Sequence, residues 1–483
     1  MKIKFRWIDI VVLFSAIASF FTIIFGWENI AGGFELLLFF PVVYLFVYIF
    51  ASTYCRKSDL LYSIIAFFVI QWIRFVLMPA VMAMADNTAP YYSEIQSLAV
   101  LLMLIEFIVA SGFILLMSFW KINNRDKQQR IFLKGNRYVY LLFACFAAAL
   151  YLFYLSKGVK LLNFARINVG TDGRIGDITD TRMVLVRQII TCAIAFLFIT
   201  VACSCSEKYE FTRKRSYLYL SILAAMLLVL VIVGERRSAQ IYSSISATYL
   251  LVKLFKRHRG LIIRMVLGTA VLVIAVMTIY KVSYAFLYSS YMEALRASSM
   301  SMNKLSVTLQ SYFCGPRTIA FAIAYSHASS NDIGNMIYDF LRSTAPISFF
   351  VKNSGNITSV MFNRYIYGGR QNSGHVLASA AYGYIYGGIA VFPWVMILNL
   401  FFAMIAERRL KTTNSSEMTY LWMALFLRFS INIYANTPAL LSAASIQLLA
   451  YGLVYLGSKA INDGTKRRYR LGNRYHIIWN QRI

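Results

Sequence analysis

The residues whose types and spacing could do chemistry are mostly arginines, with one histidine. Arg74, Arg187 and Arg428 fall inside apolar runs, Arg236 and Arg237 share the tight turn Gly234-Glu235-Arg236-Arg237, and Arg166, Arg174, Arg317, Arg364 and Arg370 fall in hydrophilic stretches. An arginine at membrane depth is costly and needs an anionic partner to offset the cost. Its guanidinium is always charged and grips oxygens in pairs, which suits a phosphate or pyrophosphate. Glu35, Glu106 and Glu235 are the carboxylates that could take the same place, and headgroup snorkelling is a further alternative. For Arg74 and Arg428 the ligand and the structural pairing stand side by side. For the adjacent Arg236 and Arg237 the ligand is favoured, because two cations in a minimal turn oppose the charge bias of the flanking segments. His375 ends FNRYIYGGRQNSGH and could serve as a general base near neutral pH, or bond to loop backbone. The candidate catalytic residues are therefore His375, Arg236 and Arg237. The candidate binding residues are Arg74, Arg166, Arg174, Arg187, Arg317, Arg364, Arg370 and Arg428.

Several signatures are missing: a P-loop, a GxGxxG after a strand, an HExxH helix and an acidic pair that could hold a divalent ion. Asp172, Asp177 and Asp180 alternate with Arg174 and Arg182 and read as loop-ordering ion pairs. No metal and no cofactor is expected.

These residues must be positioned by membrane helices. The chain is 483 residues long, 59% hydrophobic and 16% aromatic, with a mean hydropathy of +0.61. Its apolar excess falls in continuous runs of span length, and continuity rather than alternation excludes a barrel. The expected class is all-α, with about twelve spans near 8–25, 33–52, 60–84, 98–119, 138–155, 183–203, 217–233, 238–252, 265–280, 382–406, 418–433 and 438–457. The organisation is then residues 1–281 with a basic loop at 156–182, a hydrophilic loop at 282–375, late spans within 376–457 and a basic tail at 458–483.

A net charge of +28 would suggest nucleic acid in a soluble chain, but here its distribution sorts orientation, and no nucleic acid is expected. The segments on one side of these spans hold 30 of the 48 Lys and Arg, which puts both termini in the cytoplasm. The other 18 cluster on the opposite side, mainly in 156–182, in the Arg236–Arg237 turn and in 282–375, where seven basic residues face three acidic ones. Within that long loop, Pro316 followed by 317–326 reads as a short amphipathic helix, and 332–340 as another. The six cysteines sit mainly in or beside apolar runs and supply neither a disulfide framework nor a zinc site. The opening MKIKFRW and its long apolar run read as an uncleaved first span, and the tail as a stop-transfer signal touching anionic lipid.

This pattern resembles the Wzy-type O-antigen or oligosaccharide repeat-unit polymerases. The likeness rests on the span number, the Arg-bearing turn in VGERRSAQIYSSI, the Gly-Pro element in FCGPRTIAFA and the closing SGHVLASAAYGYIYGGIAVFPW, and it covers roughly residues 140–405. The His-then-Gly-Gly segment is also similar to O-antigen ligases, with Val376 where an asparagine usually stands. Ala381 and Tyr382 stand where polymerases often carry an acidic residue. The resemblance implies a multi-pass protein of a bacterial inner membrane. It implies a growing glycan on undecaprenyl pyrophosphate as donor and a lipid-linked repeat unit as acceptor, with a chain-length regulator and a flippase as partners. Tyr365, Tyr367, Tyr382, Tyr384 and Tyr386 could then stack on sugar faces or form an interfacial belt. The rival readings are a ligase-like glycan transferase and a lipid-linked oligosaccharide flippase or exporter. Against the flippase stand the one-sided charge and the long loop.

Overall fold

The structure, a computed structural model, describes residues 7–30, 32–55, 58–85, 93–121, 130–154, 181–230, 237–283, 301–329, 332–351, 357–368 and 376–480, with side chains except at 154, 181–185, 237–239, 276–283 and 465–480. Among these residues every regular element is a helix, and the only ladder pairings are two isolated bridges. The helices of the first apolar block are α1 (Trp7–Phe25), α2 (Phe39–Cys55), α3 (Leu61–Ala83) and α4 (Ser93–Ser118). Next come α5 (Arg137–Tyr154), α6 (Thr181–Thr212), α7 (Arg215–Leu230), α8 (Arg237–Leu254) and α9 (Arg259–Ser283). The hydrophilic segment forms α10 (Met302–Tyr312), α11 (Pro316–Ala328), α12 (Ile333–Ser343) and α13 (Thr358–Ile366). The chain closes with α14 (Ser379–Thr412), α15 (Ser416–Ile431) and α16 (Thr437–Asn480).

Eight helices are long and apolar enough to cross a membrane, and the helices Arg137–Phe153 and Arg215–Leu230 are apolar but shorter. Each of the twelve expected stretches carries a helix. Besides the shorter α5 and α7, α8 and α15 also fall short of a span, because α8 spends positions on Gln240, Ser243, Ser244, Ser246 and Thr248, and α15 on Glu417, Thr419, Arg428 and Ser430.

The chain forms two compact units. The first comprises 1–124, 300–408 and 425–445. In it α3 is enclosed along 67% of its apolar window and α1 along only 22%, so α3 is central and α1 lies largely open on the surface. Pro79 cannot donate to the preceding turn, and α3 widens just upstream into a π-turn at Ile73–Leu77, where the Met78 amide reaches back to the Ile73 carbonyl. The Ser19 hydroxyl donates to the Val76 carbonyl at 2.7 Å in this disturbed stretch.

The second unit comprises 125–299, 409–424 and 446–483. Its core is a ring stack in which Phe196 lies 4.5 Å from Tyr140 and 4.2 Å from Tyr451. Below the stack the buried Glu417 carboxylate accepts from the amides of Lys134 and Gly135 at 3.0 and 2.8 Å, the Tyr140 hydroxyl at 3.0 Å and the Ser415 hydroxyl at 2.7 Å.

Two expectations change. The expected span 382–406 is a helical hairpin broken at Gly387 and Gly388, whose backbones leave helical geometry, with Gly388 at φ +55. Residues 379–386 fold back on 389–412 closely enough that a Cβ on Gly383 would lie 2.5 Å from Phe392 Cα. The unbroken helix long enough to cross is therefore 389–412. The second change is α11, expected to be amphipathic: it buries Thr318, Ile319, Ala320, Ala322, Ile323, Ala324 and Tyr325 and is a core element of the first unit.

Glu417→Ala should be strongly destabilising, since it leaves two amides and two hydroxyls without their acceptor, at about 1–3 kcal/mol for each buried group left unpaired. Thermal unfolding in detergent should show a clear fall for Ala and a smaller one for Glu417→Gln, which keeps an acceptor oxygen; an unchanged midpoint in the Ala variant would remove this residue from the fold's supports.

Candidate functional site

The short helix 379–386 joins two buried polar clusters within the first unit. At its start, the Ser379 hydroxyl donates to Glu106 Oε1 at 2.6 Å, and the Ala380 amide also donates to that carboxylate. Glu106, from the middle of α4, thus caps the N-terminus of another helix, where an anion is favoured. Its other oxygen lies 3.5 Å from Arg74 Nη1, and the two side chains are 0% and 1% exposed.

Arg74 sits in the π-turn of α3 and spreads its guanidinium over several groups. It donates to Gln71 Oε1 at 3.4 Å and to the Cys314 carbonyl at 3.2 Å, and its guanidinium lies 5.8 Å from the centre of the Tyr434 ring. Cys314 has φ +51, uncommon for a residue with a side chain, and it leads into the Gly315-Pro316 start of α11. A Cβ on Gly315 would lie 2.8 Å from Gln310 Cγ and 3.0 Å from Gln310 Cα, so glycine favours the close approach of this turn to α10. Gln310 secures the turn from α10, accepting from the Gly315 amide at 2.8 Å, the Arg317 amide at 3.0 Å and the Thr318 hydroxyl at 2.9 Å.

The buried connection between α15 and α16 meets the same place. The Ser379 amide donates to Tyr434 O at 2.7 Å, and Asn399 Nδ2 donates to Ile433 O and Ala435 O at 3.0 and 2.7 Å. A connection out of water has to find such partners for its carbonyls.

The second cluster lies on the tyrosines of 379–386. Asp339, on the inner face of α12, accepts from the Thr358 hydroxyl and from the Tyr382 hydroxyl, the latter at 3.2 Å. Thr358 has one hydroxyl proton and gives it to Asp339, so the hydrogen bond between Thr358 and Tyr386 is donated by Tyr386. No ion pair to Asp339 occurs among the described residues. Burial pushes its carboxyl above the ordinary aspartate range, against the hydrogen bonds from Thr358 and Tyr382 and the charge of Arg342.

Of the expected site residues, Arg74 is in the first cluster, and Glu106 is the carboxylate it has found. Arg317 is half-buried at the N-terminal turn of α11, 5.7 Å from the centre of the Phe321 ring, and burial lowers its proton affinity. It has no ion pair among the described residues. Arg364 is exposed on α13, beside Tyr365, whose ring meets Tyr325 edge-on at 5.5 Å. Arg428 is half-buried in α15 within the first unit, and Arg187 half-buried in α6 of the second. Arg166, Arg174, Arg236, Arg370 and His375 lie outside the described residues, as does the side chain of Arg237.

The sequence reading missed Asp339 and Thr358. The pattern pointed the other way: Asp339 falls opposite Ile333, Ile337 and Leu341 on a helix, so a turn-by-turn reading puts it on the solvent face, whereas the structure buries it and leaves the three apolar residues exposed. Among the described residues no three His, Cys, Asp or Glu side chains converge as metal ligands. No family model, no curated protein and no solved structure matches the chain.

A raised folded value means that the native state holds the Asp339 proton more tightly than the unfolded chain does. The contribution of Asp339 to stability therefore falls as pH rises from the ordinary aspartate value, about 4, through the raised one. The difference in unfolding free energy between wild type and Asp339→Asn should decline across that window and level off above it. A difference that is flat with pH, or that rises, would contradict the burial argument.

Proposed function

We propose that this chain polymerises lipid-linked oligosaccharide repeat units at the outer face of a bacterial inner membrane. In this reading it has about twelve spans, both termini are cytoplasmic, and 282–375 lies outside. A hydroxyl of the new repeat unit attacks the anomeric carbon of the glycan carried on undecaprenyl pyrophosphate. A new glycosidic bond forms, the bond to phosphate breaks, and the lipid pyrophosphate leaves with the electron pair.

The observation that carries the reading is the state of Arg317. A guanidinium half withdrawn from water, without an ion pair among the described residues, is suited to a developing pyrophosphate charge. It belongs to the hydrophilic segment, whose described helices pack in the same unit as the crossing helices α1 to α4. Arg236 and Arg237 add charge in the sequence on the same predicted side, and His375 remains the candidate base. Arg74, enclosed with Glu106, is assigned here to positioning rather than to the ligand.

Purified protein in vesicles, given lipid-linked repeat units and a chelator, should build a ladder of longer glycans. Arg317→Ala should lose roughly ten- to a hundredfold in rate, the worth of one charge-assisted contact of about 1.5–3 kcal/mol, at unchanged abundance. Lys should recover only part of it, lacking the paired donors. Full ladders from the Ala variant would take Arg317 out of the site. A deletion strain that accumulates unligated long chains, rather than single units, would replace polymerase by ligase.

A further inference from the structure

α12 has two unlike faces. One holds Asp339 in the buried cluster with Thr358 and Tyr382. The other leaves Ile333, Ile337 and Leu341 exposed at 62, 55 and 42%, one per turn, and the turn that follows leaves Phe349 and Phe350 exposed at 48 and 83%. A row of large apolar side chains open to water would be costly, at about 25 cal/mol for each Å² of apolar surface.

The depth of the helix decides what covers that row. The Ser445 hydroxyl donates to the Ser343 carbonyl at 3.1 Å and accepts from the Ala345 amide at 3.0 Å, so the end of α12 is fastened to the side of α16. Ser445 lies eight residues after Thr437, where the apolar span Thr437–Gly464 begins. At the helical rise of 1.5 Å per residue this is roughly 12 Å along the span. The C-terminal end of α12 is thus alongside the apolar part of α16, about two turns in from its start. The pairing is made within one unit, and both partners are described.

We infer that α12 and the turn after it are seated in the bilayer, with Ile333, Ile337, Leu341, Phe349 and Phe350 facing lipid rather than water or another protein. The polar anchor on one face and the fastening to α16 at one end fix the rotation of the helix, and so aim the stripe outward. An amphipathic helix in this position lies in the interface with its apolar side among the acyl chains. The assignment concerns where the helix lies and holds whatever reaction the chain performs.

The test uses the full chain in lipid nanodiscs, with Cys145, the exposed cysteine among those described, replaced by alanine. Nitroxide labels at Ile337→Cys and Leu341→Cys report collisions with oxygen, which partitions into lipid, and with a water-soluble nickel chelate. Oxygen should dominate at both positions, while a label at the exposed polar Asn335→Cys should favour the chelate. All three positions are exposed, so the substitutions leave the core intact, and unchanged elution of each variant confirms the fold. A chelate that reaches Ile337 as freely as Asn335 would put the stripe in water. Exclusion of both reagents would mean a protein, such as a second copy of the chain, covers it. Either result overturns the inference.

Discussion

The first unit depends on one buried pair of opposite charges, Arg74 and Glu106. Taking both ions out of water is expensive, and their mutual attraction repays it only when the remaining donors and acceptors are also used. That condition is met in part: Arg74 Nε has no hydrogen-bond partner among the described residues and Glu106 Oε2 has only the ion pair, but the other atoms are engaged. The carboxylate has the Ser379 hydroxyl and the Ala380 amide as further donors. The guanidinium has the Cys314 carbonyl, the Gln71 side chain and the face of Tyr434. Four separate stretches, α3, α4, the turn before α11 and the start of 379–386, therefore meet through one ion pair.

The same device recurs. Glu407 accepts from the Tyr62 and Ser63 amides at 3.0 and 2.8 Å, capping the start of α3, and Glu417 does so for the turn before α5. Glu106 and Glu407 answer N–H groups at helix starts and Glu417 those of the turn before a helix, and all three are buried where no water can do it. Side chains that look like intramembrane catalytic acids are in this way spent on architecture. The hydrophilic helices carry the remaining freedom: α12 holds a carboxylate bound by hydroxyls, and α11 presents an arginine without an ion pair among the described residues.

Much of this was legible in the sequence. Continuous apolar runs announce helices whatever their neighbours, and Pro316 and Asp332 mark the starts of α11 and α12 through proline at the first position and an aspartate cap. The helical hairpin was not legible, because Gly387 and Gly388 interrupt a run whose hydropathy continues unbroken, and only the approach of Gly383 to Phe392 reveals the reversal. The choice between ligand and carboxylate at Arg74 was open for a related reason. Arg74 and Glu106 lie on different helices, and only their packing brings them together. Asp339 was not legible because it lies opposite the apolar stripe of α12, a position that reads as solvent-facing, and its partners are the sequence-distant hydroxyls of Thr358 and Tyr382.

The central claim is that Arg74 and Glu106 act on each other as a structural joint, and a double-mutant cycle of unfolding free energy measures this directly. Arg74→Met leaves a buried carboxylate without its cation and should cost roughly 3–5 kcal/mol. In the background of Glu106→Gln, which keeps an acceptor for Ser379 and Ala380, the same change should cost far less, giving a coupling of about 2 kcal/mol or more, within the range seen for residues in direct contact. Additive penalties, or an Arg74→Met protein as stable as the wild type, would contradict the joint and return Arg74 to the list of residues free to meet a ligand.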